Sequence, residues 1–252
     1  MTQPVNAIWI GDRMGPIHAA CLKSFLTCGH DVILHAYQDV VDAPKGVTVI
    51  DARKLMREDE IVRHRNSGSL ALASDVYRYR IMASDMGAYI DCDVLCVKPL
   101  PDDEFLFGWE EDRRVGSAVL RFPAASPAMS ELRAAADDPF YIPPWSRRLK
   151  LNYLKTRKAL GMPLPVARQR WGAIGPDLVT HVVKAHGLAH KIRPIDAFYP
   201  VHYYQTALLN DPGISVGDLT TPRTHAIHLW HNRLPKDGYA ADGILDRLVR
   251  SR

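Results

Sequence analysis

The sequence predicts an α/β fold in which a mostly parallel sheet is flanked by helices. Short apolar segments alternate with segments of helical spacing along the first half of the chain, and this alternation is typical of parallel strands joined by helical crossovers. The length of 252 residues also fits one large domain, because a chain of this size buries roughly 70–75% of its unfolded surface. We therefore expect a single domain, 1–252, that folds without a disulfide or metal staple.

The strands expected in the first half are short and apolar. They are 7–10, 32–37, 47–50 and 88–90. Between the first two, Ile17, Cys21 and Phe25 recur at helical spacing, and Gly29 fits the end of that helix. Residues 69–86 are the second predicted helix, which a glycine ends.

The elements of the second half follow from similar local signals. Prolines at or just before the first turn introduce helices at 127–136 and 177–186. The other elements are strands at 105–109 and 115–121, extended segments at 193–201 and 224–230, and a short exposed helix at 243–252. We see no internal repeat, low-complexity segment or domain linker.

The composition is that of a soluble globular protein, with 47% hydrophobic and 24% charged residues. The spacings of Cys21, Cys28, Cys92 and Cys96 fit neither a zinc ribbon nor a redox pair, which favours a reduced, cytoplasmic setting. The first residues lack the basic segment and apolar core of a signal peptide, and no stretch approaches the roughly 20 apolar residues of a membrane span. We expect the chain to be soluble or to lie on the inner face of a membrane.

One segment carries most of the positive charge. Between Pro139 and Pro176 the chain has eight cations and no acidic residue, although the net charge of the whole chain is only +4. A solvated helical face is the simplest interpretation. The apolar residues interleaved between 145 and 170 also suit a helix lying on an anionic membrane surface. Nucleic-acid binding is disfavoured, because no reader motif accompanies the charge.

The pair Asp91 and Asp93 is the most informative feature of the chain. Side chains alternate along a strand, so two carboxylates separated by one residue point the same way. A hard divalent cation suits the space between such like charges and can bridge them to a diphosphate. An isolated pair of this kind is more often a strand end whose acids cap a helix or face water.

The preceding helix adds groups that suit a sugar diphosphate. Asp75 and Arg78 lie three residues apart and therefore on one side of the helix, and Tyr89 precedes Asp91 on the same strand face. A guanidinium is a fork-shaped donor to phosphate oxygens, and a carboxylate accepts hydrogen bonds from sugar hydroxyls. The alternative for Asp75 and Arg78 is a surface ion pair, worth about 0.2–0.5 kcal/mol.

The segment from Leu72 to Tyr79, followed by Tyr89 to Asp93, resembles the sugar-binding region of family 32 glycosyltransferases. That family includes fungal initiating mannosyltransferases, bacterial polysaccharide transferases and, distantly, the glucosylating clostridial toxins. Ala88 stands where a second glycine is usual. Three further segments resemble family motifs: 7–11, 171–177 and 225–230. The resemblance covers roughly residues 5–100 and 170–232, and no motif matches the basic segment.

The resemblance implies a GT-A-like domain and a role for each matched residue. The implied metal ligands are Asp91, Asp93 and His228; the implied donor-binding residues are Trp9, Tyr89, Asp91 and Trp230; the implied catalytic residues are Asp75, Arg78 and Asp177. His225 and His231 are expected outside the metal shell, because residues three apart on a strand face opposite sides. Asp177 is equally well explained as a helix N-terminal acid favoured by the dipole.

The same resemblance implies a metal-dependent transfer of a hexose, with retention, from a nucleoside-diphosphate sugar to a glycan or lipid-linked acceptor. An imidazole ligand favours Mn2+ over Mg2+, and a uridine diphosphate sugar is preferred to guanosine diphosphate mannose as donor. Residues 1–100 would form the nucleotide-sugar half and 101–235 the acceptor half, with a basic helical segment at 139–170 and a C-terminal helix at 236–252.

Two other functions remain open at the level of the sequence. A sugar-nucleotide or glycan-binding module without turnover would need the same charged groups. A phosphohydrolase can also place two aspartates after a strand, with the first as nucleophile. That class fits poorly, because the pair lies far from the start of the chain and is followed by Val94 and Leu95.

Overall fold

A computed structural model describes residues 2–65, 68–170 and 172–250. It confirms the predicted fold class, since a mostly parallel central sheet is flanked by helices. The strands are β1 (Val5–Trp9), β2 (Val32–Ala36), β3 (Thr48–Asp51), β4 (Ala88–Ile90), β5 (Val94–Cys96), β6 (Trp109–Glu111), β7 (Arg114–Val115), β8 (Val119–Leu120) and β9 (Ala226–His228). The helices are α1 (Pro16–Thr27), α2 (Ala71–Ala83), α3 (Pro127–Asp137), α4 (Arg148–Ala159), α5 (Pro176–Ala185), α6 (Val216–Leu219) and α7 (Ile244–Arg250).

The central sheet has the strand order β3-β2-β1-β4-β8. The first four strands are parallel, and β8 runs antiparallel to β4. Because β1 and β4 are parallel neighbours, their carboxyl ends lie at the same edge of the sheet. In open α/β sheets ligands bind at such an edge.

Two small antiparallel pairs extend the structure beyond the central sheet. Strand β5 pairs with β9, and their register sets Val94 opposite His228. Strand β6 pairs with β7 in a short hairpin. The first pairing joins residues that are more than 130 positions apart in the chain, so it brings the last strand directly beside the turn that follows β4.

Several local predictions are wrong in their details. Residues 193–201, predicted to be extended, contain the 3-10 turn Ile195–Ala197. The strands predicted at 105–109 and 115–121 shrink to β6, β7 and β8, because short bridges and turns replace long ladders there.

The predicted C-terminal helix is shorter and less exposed than expected. Among the described residues of the predicted 236–252 it spans Ile244–Arg250, and residues 251–252 lie outside the described residues. Ile244 and Leu245 are buried in a core cluster with Ile17 and Cys21 of α1. Burial of this face explains why so short a helix forms, since isolated helices of this length are marginal in water.

No helix among the described residues is both long and apolar enough to cross a membrane. The longest helix is α2, at 13 residues, whereas a span needs roughly 20 apolar residues.

A buried polar cluster lies behind the sheet, under α2. His35 on β2 is fully buried, with its Nδ1 2.9 Å from the Tyr77 hydroxyl and its Nε2 3.1 Å from Asn6 Oδ1. An amide oxygen only accepts, so Nε2 carries a proton, whereas Nδ1 faces a tyrosine hydroxyl that can donate or accept. Burial lowers the pKa of His35 from 6.5 to about 4. The hydrogen bonds of this ring link β1, β2 and α2. The folded state is destabilised if the buried ring becomes charged.

We expect His35→Gln to reduce the loss of stability in acid. Between pH 6.5 and about 4 the unfolded chain binds a proton at His35 that the folded chain does not, so this residue makes stability fall as the pH is lowered. Glutamine keeps a donor and an acceptor and does not titrate. The difference in unfolding free energy between wild type and variant should change by about 3 kcal/mol between pH 7 and 4, measured by urea denaturation. A constant difference over this pH range would contradict the prediction.

Candidate active site

A cavity of about 790 Å³ opens at the carboxyl ends of β1 and β4. Its walls come from residues near both ends of the chain, from Ile8 on β1 to Arg233 after β9. The volume is within the roughly 300–1,000 Å³ of small-molecule sites. Of the predicted site residues, those that line the cavity are Trp9, Asp75, Arg78, Tyr89, Asp91, Asp93, His228 and Trp230.

The two aspartates lie in a turn between β4 and β5, not on a strand as the sequence suggested. Strand β4 ends at Ile90, and β5 begins at Val94. The carboxylates still converge, and their oxygens lie within 4.8 Å of each other and of a ring nitrogen of His228. The prediction that the two side chains point the same way is correct, but the reason given for it, alternation along a strand, is wrong. The turn, closed by the pairing of β5 with β9, is what aims the side chains.

Asp93 is held from several sides by the segment that follows β9. The His231 N–H donates to its Oδ2 at 2.9 Å, and the Leu229 N–H donates to its backbone carbonyl at 2.9 Å. His228 Nε2 lies 3.3 Å from Oδ1. Burial alone would raise the pKa of Asp93, but His228 and the His231 N–H outweigh it, and the net pKa is well below the usual value.

The chain bends sharply at Trp230 to make these contacts. Trp230 has a φ of 57° and lies in the left-handed region. This backbone conformation is costly for a bulky residue, and residues that adopt it cluster at functional sites. Its indole N–H donates to the Val201 carbonyl at 2.8 Å, and its ring centroid lies 4.1 Å from that of His228. The bend lets the Trp230 ring pack against His228 while the His231 N–H donates to Asp93.

The donor set fits a divalent cation. Two carboxylates and one imidazole converge, and this mixed set of oxygen and nitrogen donors can hold a divalent cation. Among the described residues His228 Nδ1 is buried without a hydrogen-bond partner, and unsatisfied buried groups are uncommon in folded proteins. Burial lowers the pKa of His228 and the facing carboxylates raise it more, so the net pKa lies above the usual value. A bound cation would satisfy the carboxylates that otherwise favour the protonated ring.

Arg78 is the main counter-charge of the site. Its guanidinium lies 3.3 Å from Asp75 and 3.1 Å from Asp91, and it donates to the Ser117 carbonyl at 2.8 Å. The same group lies 4.7 Å from the ring centre of Tyr89, whose hydroxyl donates to Asp91 at 2.6 Å. The sequence alternative of a surface ion pair is wrong, because both Asp75 and Arg78 are buried.

Asp75 lies against the turn that begins α5. A β-carbon on Gly175 would come within 2.8 Å of its Oδ2, so only glycine allows this approach. Burial raises the pKa of Asp75 to about 6, in spite of Arg78. A carboxyl group with this pKa is mostly ionised at pH 7, where it accepts hydrogen bonds, and it becomes protonated in mildly acidic solution. The rest of the turn resembles the family motif, but Trp171 lies outside the described residues.

Asp177 is the predicted catalytic residue that the structure separates from the cavity wall. It lies in the first turn of α5, and Arg114 Nε is 3.3 Å from its Oδ1. Arg114 itself lines the cavity and lies 3.1 Å from Glu110. Asp177 therefore touches the site through Arg114, and both a helix-capping and a functional role stay open.

Sequence reasoning missed Glu110 and His18. Glu110 is buried on β6 and lines the cavity, and burial raises its pKa to about 7 although Arg114 lowers it. The signal available in the sequence was an acid directly after the apolar run Phe105–Trp109.

His18 on α1 packs against Trp9 at 4.7 Å and against His231 at 4.3 Å between ring centroids. Its position could not be read from spacing, because three distant segments meet there.

No family model matches the chain. Among curated proteins it is similar to the Subversion of eukaryotic traffic protein A of Legionella pneumophila, with 24% identity over 219 residues. The match covers 77% of this chain but 33% of the relative, so the chain spans about one third of that protein's length. The similarity is distant, and it is consistent with a glycosyltransferase-like relationship.

We expect Arg78→Ala to destabilise the fold strongly. Removing the guanidinium leaves the buried Asp75 without its ion pair and Asp91 with fewer donors, and breaking a buried pair costs about 3–5 kcal/mol. Arg57→Ala is the matched control, because Arg57 pairs with Asp59 on the exposed surface, where such pairs contribute about 0–1 kcal/mol. Urea unfolding measures both. Equal free energies of unfolding for the two variants would contradict the prediction.

Proposed function

We propose that this protein is a metal-dependent glycosyltransferase that moves a hexose from a nucleoside-diphosphate sugar to a glycan or lipid-linked acceptor. The observation that carries the proposal is the convergence of Asp91, Asp93 and His228 at the wall of one large cavity. The distant relative and the motif resemblance support glycosyl transfer in general. Manganese, a uridine diphosphate donor and retention of configuration are the more specific parts of the proposal.

The proposed roles follow from charge and position. A divalent cation held by Asp91, Asp93 and His228 would neutralise the negative charge that develops on the departing diphosphate. Arg78 already faces Asp91 and would add a fixed positive group on the same side. Trp9 and Tyr89 would contact the donor, and Trp230 would pack on it beside the metal ligands.

Asp75 would hold the transferred sugar. It is buried at the cavity wall beside Arg78, and its raised pKa suits exchange of hydrogen bonds with hydroxyl groups. Asp177 is proposed to act through Arg114. The donor would occupy the half formed by residues 1–100, and the acceptor would be bound by residues 101–235.

The basic segment is proposed to rest on an anionic membrane surface. On α4, Leu149 is 86% exposed, and Tyr153 and Leu160 follow it within about 40° on the helical wheel. The one buried residue of the helix, Leu154, is about 120° from the centre of that stripe. An exposed apolar stripe flanked by cations is the pattern of an interfacial helix. The proposed location is therefore the cytoplasmic face of a membrane.

The metal site is tested with Asp93→Asn, which keeps the shape of the side chain and an acceptor for the His231 N–H. We expect Mn2+ affinity, measured by electron paramagnetic resonance of the free ion, to fall at least about 10-fold. Release of uridine diphosphate from UDP-glucose and from other UDP-hexoses in Mn2+ should fall with it. Asp237→Asn, at an exposed site, is the matched control.

The outcomes separate the three candidate functions. A transferase hydrolyses its donor slowly without acceptor, and Asp93→Asn abolishes that reaction. Saturable binding of nucleotide sugar without release of nucleoside diphosphate would indicate a binding module. Hydrolysis of simple phosphate esters, lost in Asp91→Asn, would indicate a phosphohydrolase. Full Mn2+ binding by Asp93→Asn would overturn the proposed metal site.

The membrane contact is tested by replacing Arg147, Arg148 and Lys150 with glutamine. Each cation near an anionic leaflet contributes about 1 kcal/mol, so we expect binding to vesicles of phosphatidylcholine and phosphatidylserine to weaken at least about 100-fold. The control replaces Arg53, Lys54 and Arg57, which are exposed elsewhere. Equal vesicle binding by both triple variants would remove the proposal. Binding of duplex DNA that is lost in the first variant, with no vesicle binding, would favour a nucleic-acid surface instead.

A further inference from the structure

An exposed tyrosine lies at the outer wall of the cavity. Tyr204 is 75% exposed, and its ring centroid lies 4.0 Å from that of Tyr203. The pair belongs to a tight turn in which the Gln205 N–H donates to the His202 carbonyl at 2.7 Å. All three aromatic residues from 202 to 204 line the cavity. Single exposed aromatic side chains are ordinary, but a fixed pair at the wall of a functional cavity needs an explanation.

The pair is continuous with the proposed metal site through ring contacts. Tyr203 lies 5.9 Å from Trp230 between ring centroids, and Trp230 lies 4.1 Å from His228. The left-handed backbone of Trp230 turns its indole toward this side of the cavity. Arg233 lies over the ring of Tyr203, 4.6 Å from its centre. The aromatic series thus runs from the metal ligands to the exposed Tyr204.

A second aromatic series leaves the same turn in another direction. It passes from His231 to His18 and on to Trp9, with ring centroids 4.3 and 4.7 Å apart. In a nucleoside-diphosphate sugar the diphosphate joins the base on one side to the sugar on the other. If a cation held by the aspartates binds the diphosphate, each aromatic series would offer ring faces to one of the two groups that the diphosphate joins.

The chemistry of the outer series suits a sugar ring. Tyrosine offers a flat apolar face and a hydroxyl that remains in water, which matches the C–H face and hydroxyl rim of a pyranose. Groups that exchange hydrogen bonds with hydroxyls stand nearby, since Glu111 lies 4.0 Å from His202 and both line the cavity with Arg233. A mostly apolar surface with a few oriented polar groups is typical of small-molecule sites.

We propose that Tyr203 and Tyr204 form the acceptor subsite, on which a sugar ring of a carbohydrate acceptor stacks. This inference rests on the proposed function, and it names the acceptor as a glycan rather than a protein or a nucleotide. The donor base binds at the Trp9 end, and the acceptor approaches over Tyr204 toward the sugar held beside Asp75. The acceptor half then uses a loop that shares no motif with the donor half.

The test measures glycan binding and donor chemistry separately. Saturation-transfer NMR is recorded for the whole chain with uridine diphosphate and Mg2+, which is diamagnetic, using maltohexaose, cellohexaose, mannohexaose and lacto-N-neotetraose as probes. We expect at least one oligosaccharide to receive saturation at the C–H protons of one ring face. Tyr204→Phe, which keeps the ring, should retain the signal, and Tyr204→Ala should reduce affinity at least about 10-fold. Tyr239→Ala, which packs against another core cluster and does not line the cavity, is the control.

Three outcomes overturn the inference, and they differ from failure of the proposed function. If none of the four probes binds while wild type releases uridine diphosphate from a UDP-hexose, glycosyl transfer stands and the subsite is wrong. If Tyr204→Ala binds the probes as wild type does, the stacking role is wrong. If Tyr204→Ala loses stabilisation by uridine diphosphate and Mn2+ in thermal unfolding, the pair belongs to the donor base. Glycan binding without any donor hydrolysis instead overturns the proposed function and leaves a sugar-binding surface.

Discussion

The site depends on the burial of one guanidinium among carboxylates. Arg78 is buried between Asp75 and Asp91, and a buried charge is tolerated only when it is paired and hydrogen-bonded. This single cation allows two acids to remain near each other in a poorly solvated place. It also ties α2 to the turn after β4 and, through the Ser117 carbonyl, to the segment before β8. The contacts of Arg78 therefore stabilise the fold, and they also position charged groups at the wall of the cavity.

The second acid of the pair is balanced in another way. Asp93 has no guanidinium partner among the described ion pairs; it faces His228 and receives the His231 N–H instead. Neighbouring acids that differ so much in their surroundings suit different tasks. Arg78 pairs with Asp91, whereas Asp93 faces an imidazole that can lose its proton. The bend at Trp230 makes both contacts of Asp93 at once, and the strain at that residue is the cost of the arrangement.

Two walls of the cavity come from different parts of the chain. The charged wall comes from α2, the turn after β4 and the end of β9. The opposite aromatic wall, at Tyr203 and Tyr204, comes from a loop without a recognisable motif. The basic helix α4 lies outside both walls and adds a surface rather than a site.

The sequence by itself determined the α/β class and the main helices, and it predicted the group of charged residues around Asp91 and Asp93. Apolar periodicity and glycine or proline boundaries are local, and Asp75, Arg78, Tyr89, Asp91 and Asp93 lie within 19 consecutive positions. Only the tertiary structure decided what surrounds them. Arg78 is buried between two acids, and the pairing of β5 with β9 sets His228 beside Asp93. Gly175 lies against Asp75, and Glu110 and Tyr203 line the same cavity. These contacts join segments that are far apart in the chain. Such contacts arise from packing between elements, and residue spacing carries no information about them.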